Sequence, residues 1–417
     1  MHFKRLIISN TYMAIAILTS GYALATTRYS PIIYLFCAAG FALFIIRTAT
    51  SNGRINPRKA QLALLLLSSL LLPAVAGLAV NSTIENAFSF FKLALALTFG
   101  AVLFLSFDFK NFQNTFCNAV FAICIISLPG YLLTNFTDLL DNLPVVTNIN
   151  EVEYKFAIFF ISFDGFLQYR NVGVFWEPGI FATMIYCALL ADLYSENKAS
   201  ALRTTIFLIA LTSTFSGAGI ILFILYTALV FSQPPRHGKN NLRGHILPIF
   251  AIILTACVAA LYVANTQPEA YTYLERLAGK LTDPEDTQST RLLSPITSLK
   301  IFLEQPILGW GLTGAIEKYR EINDEIALTS SSAYLMSAIG ICGILFTAIP
   351  IIGIARAKKI NFFSRLTLIF AFLFIANKEP HIYFTLSYAL IFFSLETSLK
   401  DGSKNPHWPP IVKIRPS

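Results

Sequence analysis

Apolar runs of about the length that a helix needs to cross a bilayer recur along most of this chain. A helix needs roughly 20 apolar residues to span the hydrocarbon layer, whereas the apolar residues of a soluble core come in shorter, periodic stretches. Only 13% of the residues are charged, compared with about 25% in a typical soluble domain. The sequence therefore predicts an all-α, polytopic integral membrane protein whose single domain covers residues 1–417.

The apolar runs predict 12 membrane spans. One long run, 204–231, is interrupted by a Ser-, Thr- and Gly-rich stretch at 212–219, and positively charged segments flank it on both sides. We therefore predict two short spans there, 204–215 and 217–232, that meet at a polar turn. Such a turn is tolerated at membrane depth only where it lines a protein or water cavity. The other predicted spans are 7–26, 30–47, 60–80, 88–106, 115–134, 178–194, 246–266, 331–354, 364–377 and 382–399.

The charge distribution sets the expected orientation of these spans. The net charge is +8, and most of the 31 Lys and Arg residues fall in or beside alternate connections, whereas most of the 23 acidic residues fall in the others. By the positive-inside rule, both termini are then cytoplasmic. The basic character is thus a topology signal, and it does not indicate a nucleic-acid partner.

Two predicted external segments are too long to be simple connectors. They cover 135–177 and 267–330, and aromatic and aliphatic residues recur through both. In the second, 269–281 and 314–326 are typical of amphipathic helices, and 283–290 of a turn and helix start. Because loops of this length are usually functional or disordered, we expect ordered loops that carry the function.

Two external arginines, Arg170 and Arg291, are candidates for binding a phosphate or diphosphate. Each lies beside a predicted span or helix without an acidic residue at helical pairing distance. A guanidinium group binds phosphate oxygens in a bidentate manner and keeps its charge. The alternative for each is an ordinary surface or lipid-headgroup contact.

The segment Glu177-Pro178-Gly179 predicts a helix start that faces the external side. Proline fits the first helical position, and the amides and dipole of a helix N-terminus attract anions. Glu177 either caps this helix, accepts a proton from a substrate hydroxyl, or orients Arg170.

Other candidates have two interpretations each. Ser213 and Ser216, with the neighbouring threonines of the turn 212–216, bind a sugar or diphosphate or else satisfy the backbone of a broken helix. Trp310 is a sugar platform or a loop anchor. His381, in a short external turn, titrates near neutral pH in an ordinary environment, although a lone loop histidine often has no function. The six cysteines lie in apolar runs without metal-ligand spacing, which indicates packing.

Five short motifs, in this order and with shared external placement, resemble the bacterial O-antigen polymerase (Wzy) group of the O-antigen ligase-like superfamily. The motifs are Arg170-x-x-Gly173-x-Phe175-x-Glu177-Pro178-Gly179, Leu211-Thr-Ser-Thr-Phe-Ser216, Ser289-Thr290-Arg291, Pro306-x-x-Gly309-x-Gly311, and Ser330-Ser-Ser-Ala-Tyr334-Leu followed by Gly340-x-x-Gly343.

The resemblance implies a GT-C-like membrane glycosyltransferase at the periplasmic face of the bacterial inner membrane, inverting and without metal or cofactor. The implied donor is a growing glycan on undecaprenyl diphosphate, and the acceptor is a lipid-linked repeat unit. Arg170 and Arg291 would stabilise the leaving diphosphate, with Glu177 as a candidate base. The implied diphosphate- or sugar-binding candidates are Arg170, Arg291, Ser213, Ser216, Trp310, Ser331, Tyr334 and His381. A chain-length regulator protein is a partner that the sequence leaves open.

One departure from the superfamily favours a polymerase. Its ligases, which transfer finished polymer to lipid A–core, have a His-Asn-x-Tyr-Leu pattern where this chain has Ser331-Ser-Ala-Tyr334-Leu. The base is then open between Glu177, His381 and no dedicated base. A flippase or transporter is the non-enzymatic alternative, but it would need charges lining the membrane interior, where the sequence has only Lys92.

Overall fold

The computed structural model describes residues 2–50, 55–80, 82–137, 141–148, 151–157, 160–163, 170–195, 200–232, 288–322, 329–357 and 360–402. This part of the chain is mostly helical, as predicted. In its first half the helices are α1 His2–Leu18, α2 Ile32–Thr50, α3 Pro57–Val80, α4 Ile84–Ser106, α5 Phe109–Phe136, α6 Pro178–Tyr194, α7 Ala201–Ser213 and α8 Gly217–Ser232. The later helices are α9 Gln288–Glu304, α10 Leu312–Ile322, α11 Ser331–Ile339, α12 Leu345–Arg356, α13 Phe362–Lys378 and α14 Thr385–Gly402.

Within the described residues, five helical segments are long and apolar enough to cross a membrane. They are Ile32–Ala49, Pro57–Ala79, Ile84–Ser106, Phe109–Thr134 and Ser331–Arg356, the last of which continues from α11 through the 3₁₀ turn Gly340–Ile344 into α12. Shorter apolar helices accompany them at Ile7–Leu18, Pro178–Tyr194, Ala201–Ser213, Gly217–Ser232 and Thr385–Leu399. These helices indicate a membrane-embedded, multi-pass protein. The predicted span 246–266 and the predicted helix 269–281 lie outside the described residues.

Side-chain caps fix several of the helix starts. Thr83 accepts a hydrogen bond from the amide of Asn86 at the start of α4, and Asp108 accepts one from the amide of Asn111 at the start of α5. Such caps satisfy amides that have no partner inside the helix. At the other end of the first predicted run, α1 stops at Leu18 instead of continuing to 26. The hydroxyls of the next two residues turn back onto a helix carbonyl, and Gly21 has φ +119°.

A small antiparallel sheet adds to the predicted all-α fold. Strands β1 Val145–Thr147, β2 Glu153–Ala157 and β3 Phe160–Phe163 pair in that order. Val146 lies opposite Tyr154, which in turn lies opposite Phe163. The sheet lies within the predicted loop 135–177. The β-branched and aromatic residues of these strands favour a sheet, but runs of three to five residues fall below the length of a span.

The helix ends collect into two faces of the molecule. The basic face carries Lys59, Arg203, Arg356 and Arg365. Their hydrogen bonds and ion pairs connect the helices α3, α4, α6, α7, α12, α13 and α14 there. The loop face carries the segments 171–177, 213–216, 329–332 and 378–385. These segments are joined by hydrogen bonds between the C-terminal ends of α1, α7 and α13 and the N-terminal ends of α6, α11 and α14. The motifs identified in the sequence lie mostly at the loop face.

Candidate functional site

The segment from Arg170 to Glu177 is held along its length, although it contains no helix. Five hydrogen bonds from four other parts of the chain fix it. They are Asn171 N to Ser213 O (2.9 Å), Ile161 N to Gly173 O (2.8 Å), Ala23 N to Val174 O (3.1 Å), Trp176 N to Gly21 O (3.2 Å) and Tyr154 Oη to Trp176 O (2.9 Å). Arg170, at the start of the segment, is half-buried. The segment is thus an ordered platform between the small sheet, α1 and the α7–α8 turn.

Asn171 connects this platform to the turn between the two short helices. Its side chain is 2% exposed, and its Nδ2 donates to the Oγ atoms of Ser213 (3.0 Å) and Ser127 (3.4 Å). Its Oδ1 accepts from the amide of Gly173 (3.0 Å). Gly173 has φ +60°, and a Cβ there would lie 3.0 Å from the ring of Phe181. Two motifs whose bonded residues are 42 apart in sequence therefore meet in one hydrogen-bonded unit.

The turn between α7 and α8 lies where the sequence predicts it. Ser213 ends α7, and its Oγ donates to the carbonyl of Ala210 (2.8 Å). Ser216 is buried, and its Oγ accepts from the amide of Gly219 (3.4 Å). These contacts satisfy the backbone of a broken helix, one of the two interpretations of both serines. Phe215 has φ +43° and is 48% exposed at the tip of the turn, an unusual backbone state that is enriched at functional sites.

Glu177 and Pro178 start α6 as predicted. Pro178 is at the first helical position, and Glu177 is the N-cap residue, but the carboxylate of Glu177 makes no capping hydrogen bond. Glu177 is half-buried, and its carbonyl accepts from the amides of Ile180 and Phe181. The N-cap interpretation therefore holds for its backbone and not for its side chain.

A second carboxylate, Glu379, lies at the same helix start. A Cβ built on Gly179 would lie 2.6 Å from Oε1 of Glu379 and 3.7 Å from Nζ of Lys378. Glu379 is 3% exposed. Position 179 is therefore glycine because the Glu379 carboxylate lies against the first turn of α6.

Ser331 and His381 are in direct contact. The Oγ of Ser331 donates to the carbonyl of Glu379 (2.6 Å) and accepts from the amide of His381 (2.7 Å). His381 is 5% exposed, its Nδ1 lies 3.5 Å from the Oγ of Ser387, and within the described residues its Nε2 has no hydrogen-bond partner. Burial lowers the pKa of His381 well below its ordinary value. The imidazole, which lies in the 3₁₀ turn between α13 and α14, is therefore neutral at neutral pH.

The backbone of Arg291 lies in the first turn of α9, which starts at Gln288, inside the segment 283–290 predicted as a turn and helix start. The side chain of Arg291 is outside the part of the chain that the structure describes. One turn later, the Oγ of Ser294 accepts hydrogen bonds from the amides of Thr329 (3.2 Å) and Ser330 (3.4 Å). Ser330 in turn bonds to the side chain of Asn377. The start of α9 is thereby attached to the N-terminus of α11 and the end of α13.

Trp310 and Tyr334 make contacts typical of structural anchors. The Nε1 of Trp310 donates to the carbonyl of Ile301 (3.2 Å), and Nζ of Lys318 lies 5.2 Å from the centre of the Trp310 ring. Tyr334 is 1% exposed, and its hydroxyl donates to the carbonyl of Leu312 (2.6 Å). For Trp310, these contacts favour the loop-anchor interpretation over the sugar platform.

Comparisons with known proteins add no relative. No protein-family model, curated protein or solved structure matches the chain. Among the described residues, no group of three or more His, Cys, Asp or Glu side chains is placed to hold a metal ion. The description of the site therefore depends on the contacts of its own residues alone.

Sequence reasoning missed two residues of this site, Asn171 and Glu379. Asn171 stands beside Arg170 in the motif, but its partner Ser213 becomes visible only when α7 is in place. Glu379 comes two residues after a predicted span that ends at 377, and an acidic residue at such a border is usually solvated. Its position against Gly179 depends on how α13 packs near α6.

Proposed function

We propose that this protein is a glycosyltransferase of the bacterial inner membrane that polymerises a surface polysaccharide, as O-antigen polymerases do. In this proposal it has 12 spans, both termini are cytoplasmic, and the loop face is periplasmic. The donor is a glycan on undecaprenyl diphosphate, and the acceptor is a sugar hydroxyl of a lipid-linked repeat unit. The observation that carries the proposal is the meeting of the Arg170 platform, the start of α6 and the segments around Ser331 and Glu379.

This meeting point suits a diphosphate. The N-terminal ends of α6, α11 and α14 all lie beside the segment 379–385. A helix N-terminus attracts an anion through its amides and its dipole. Lys378 and Arg170 both belong to the loop face, and Arg291 lies in the first turn of the helix attached to α11. Fixed cations and dipoles stabilise the negative charge that develops on a leaving diphosphate.

An adjacent groove suits the lipid part of such a substrate. Its volume is about 340 Å³, and apolar residues of α9, α11 and α12 line most of it, including Leu299, Met336 and Ile351. Ser332 and Asn377 also line it and belong to the segments that bind one another at the loop face. In the proposal a polyprenyl tail occupies the groove while its diphosphate lies at the start of α6.

Extension of a defined substrate by the purified protein tests this function. The protein is reconstituted in liposomes with undecaprenyl-diphosphate oligosaccharide as both donor and acceptor, and products are separated by length. We expect dimers and longer glycans. Products formed only with lipid A–core would indicate a ligase instead, and movement of the lipid across the bilayer without new glycosidic bonds would indicate a flippase.

The role of Arg170 is tested in the same assay. We expect Arg170→Ala to lower extension by about 100-fold or more, a typical loss for one electrostatic group of an active site. Lys should restore little, since it lacks the planar fork of Arg. The matched control is Arg365→Ala, another half-buried arginine, which lies at the basic face. Equal extension rates in the Arg170 and Arg365 variants would contradict the role.

A further inference from the structure

The buried carboxylate of Glu379 has no place in the mechanism that the sequence suggests, although it lies at the centre of the proposed site. Among the acidic side chains that the structure describes, Glu379 is the least exposed, at 3%. Burial of a carboxylate is costly unless the surroundings stabilise its charge. A buried acid at the border of a membrane span is therefore a candidate functional group.

Hydrogen bonds fix the main chain from the Glu379 carbonyl to the His381 amide. The Oγ of Ser331 donates to the carbonyl of Glu379 and accepts from the amide of His381, and that amide also lies 2.8 Å from the Glu379 carbonyl. Ser331 is itself in the first turn of α11 and 2% exposed. The carboxylate is thus carried by a rigid turn, which holds a reacting group in place better than a mobile loop does.

The side chain of Glu379 is aimed at the start of α6. Its Oε1 lies 2.6 Å from the Cβ position of Gly179, and Nζ of Lys378 lies 3.7 Å from the same point. Both the positive end of the α6 dipole and the ammonium group favour the ionised carboxylate. Glu177, the other acid here, is half-buried and begins α6 through its backbone.

We propose that Glu379, and not Glu177, is the catalytic base that accepts the proton of the acceptor sugar hydroxyl. This inference rests on the proposed function. The hydroxyl oxygen forms a bond to the anomeric carbon of the donor sugar, and the bond from that carbon to the diphosphate oxygen breaks. The electron pair leaves with undecaprenyl diphosphate, and the hydroxyl proton passes to the Glu379 carboxylate. A carboxylate base of this kind is the usual choice for inverting attack at an anomeric carbon.

The test compares Glu379→Gln with Glu177→Gln in the reconstituted extension assay, with donor binding and the thermal midpoint measured on the same preparations. We expect Glu379→Gln to lower kcat by about 100-fold or more, because base catalysis contributes a factor of that order. Donor affinity should be kept or increased, since the glutamine is neutral beside the bound anion. Glu177→Gln should lower kcat clearly less than Glu379→Gln does, because Glu177 starts α6 through its backbone.

Three results would overturn the inference: a wild-type-like kcat in Glu379→Gln, a large loss in Glu177→Gln alone, or an equal loss of donor binding and turnover in a folded Glu379→Gln protein. If Glu379→Gln does not fold, Gly179→Ala replaces it, because the added methyl group displaces the carboxylate while Glu379 stays in the chain. Full turnover in Gly179→Ala would then overturn the inference. Failure of the wild-type protein to extend the substrate would refute the proposed function itself.

Discussion

Replacing Asn171 with alanine tests whether its side chain holds the Arg170 platform against the α7–α8 turn. The side chain donates to Ser213 and accepts from the amide of Gly173, both at 3.0 Å, in an environment where Asn171 is 2% exposed. Each such bond has a net value of about 1 kcal/mol, and a buried group left without its partner costs about 1–3 kcal/mol. We therefore expect the docked platform to lose about 3 kcal/mol.

A loss of that size changes an equilibrium constant by about 100-fold, since about 1.4 kcal/mol corresponds to a factor of ten. A platform that is docked with free energy to spare stays mostly docked after part of this loss, so the rate falls by less than the equilibrium constant. We expect Asn171→Ala to lower the glycan-extension rate by about 10- to 100-fold. The amount of protein in the membrane should remain close to wild type, because the helices keep their packing.

Asn361→Ala is the matched control. The side chain of Asn361 likewise donates to a Ser232 oxygen, its carbonyl, and accepts from a backbone amide, that of Ser364, but at the basic face. Its loss should lower the thermal midpoint and leave extension within about two-fold of wild type, as for most changes away from a site. Wild-type extension by Asn171→Ala, or an equal loss in Asn361→Ala, would refute the role of the platform.

Two further predictions concern stability. The Nζ of Lys59 donates to the carbonyls of Phe104 (3.0 Å) and Phe107 (2.7 Å) and lies 3.8 Å from the Glu396 carboxylate. Lys59→Met should therefore destabilise the protein by about 3 kcal/mol, because it leaves a buried carboxylate without this cation. Calorimetry of the protein in detergent measures this loss of stability. The double variant Lys59→Met with Glu396→Gln should be more stable than Lys59→Met alone, and equal stability of the two would contradict the pairing. Because burial lowers the pKa of His381, the unfolded chain binds the proton better, and stability should fall as the pH drops below about 6.5. The thermal midpoint should therefore decrease more steeply from about pH 8 to about pH 5, roughly one and a half pH units on either side of the ordinary value, in wild type than in His381→Gln. Equal slopes would count against a buried neutral imidazole.

The apolar runs and their charged flanks predicted much of the helical fold. The polar interruption at 212–219 placed the end of α7 and the start of α8 within about two residues, because span length and flanking charge leave few alternatives. The start of α6 followed from Pro178 in the same way. These are local signals, and each depends on residues close in sequence.

The features that were not predicted depend on contacts between distant residues. The strands of the small sheet are short, and their pairing with one another and with Gly173 involves no span-length signal. The position of Glu379 against Gly179 joins residues 200 apart, and a single sequence contains no trace of that distance. The relation of Arg170 to Arg291 stays a prediction, because the side chain of Arg291 lies outside the described part.

Photocrosslinking tests the proposed diphosphate site most directly. A polyprenyl-diphosphate glycan with a diazirine beside the diphosphate is bound to the reconstituted protein, irradiated, and mapped by mass spectrometry of the labelled peptides. We expect labelling of 170–179, 329–332 and 378–381 that unlabelled substrate suppresses. Suppressible labelling at the basic face instead, around Lys59, Arg203 and Arg365, would contradict a diphosphate site at the start of α6.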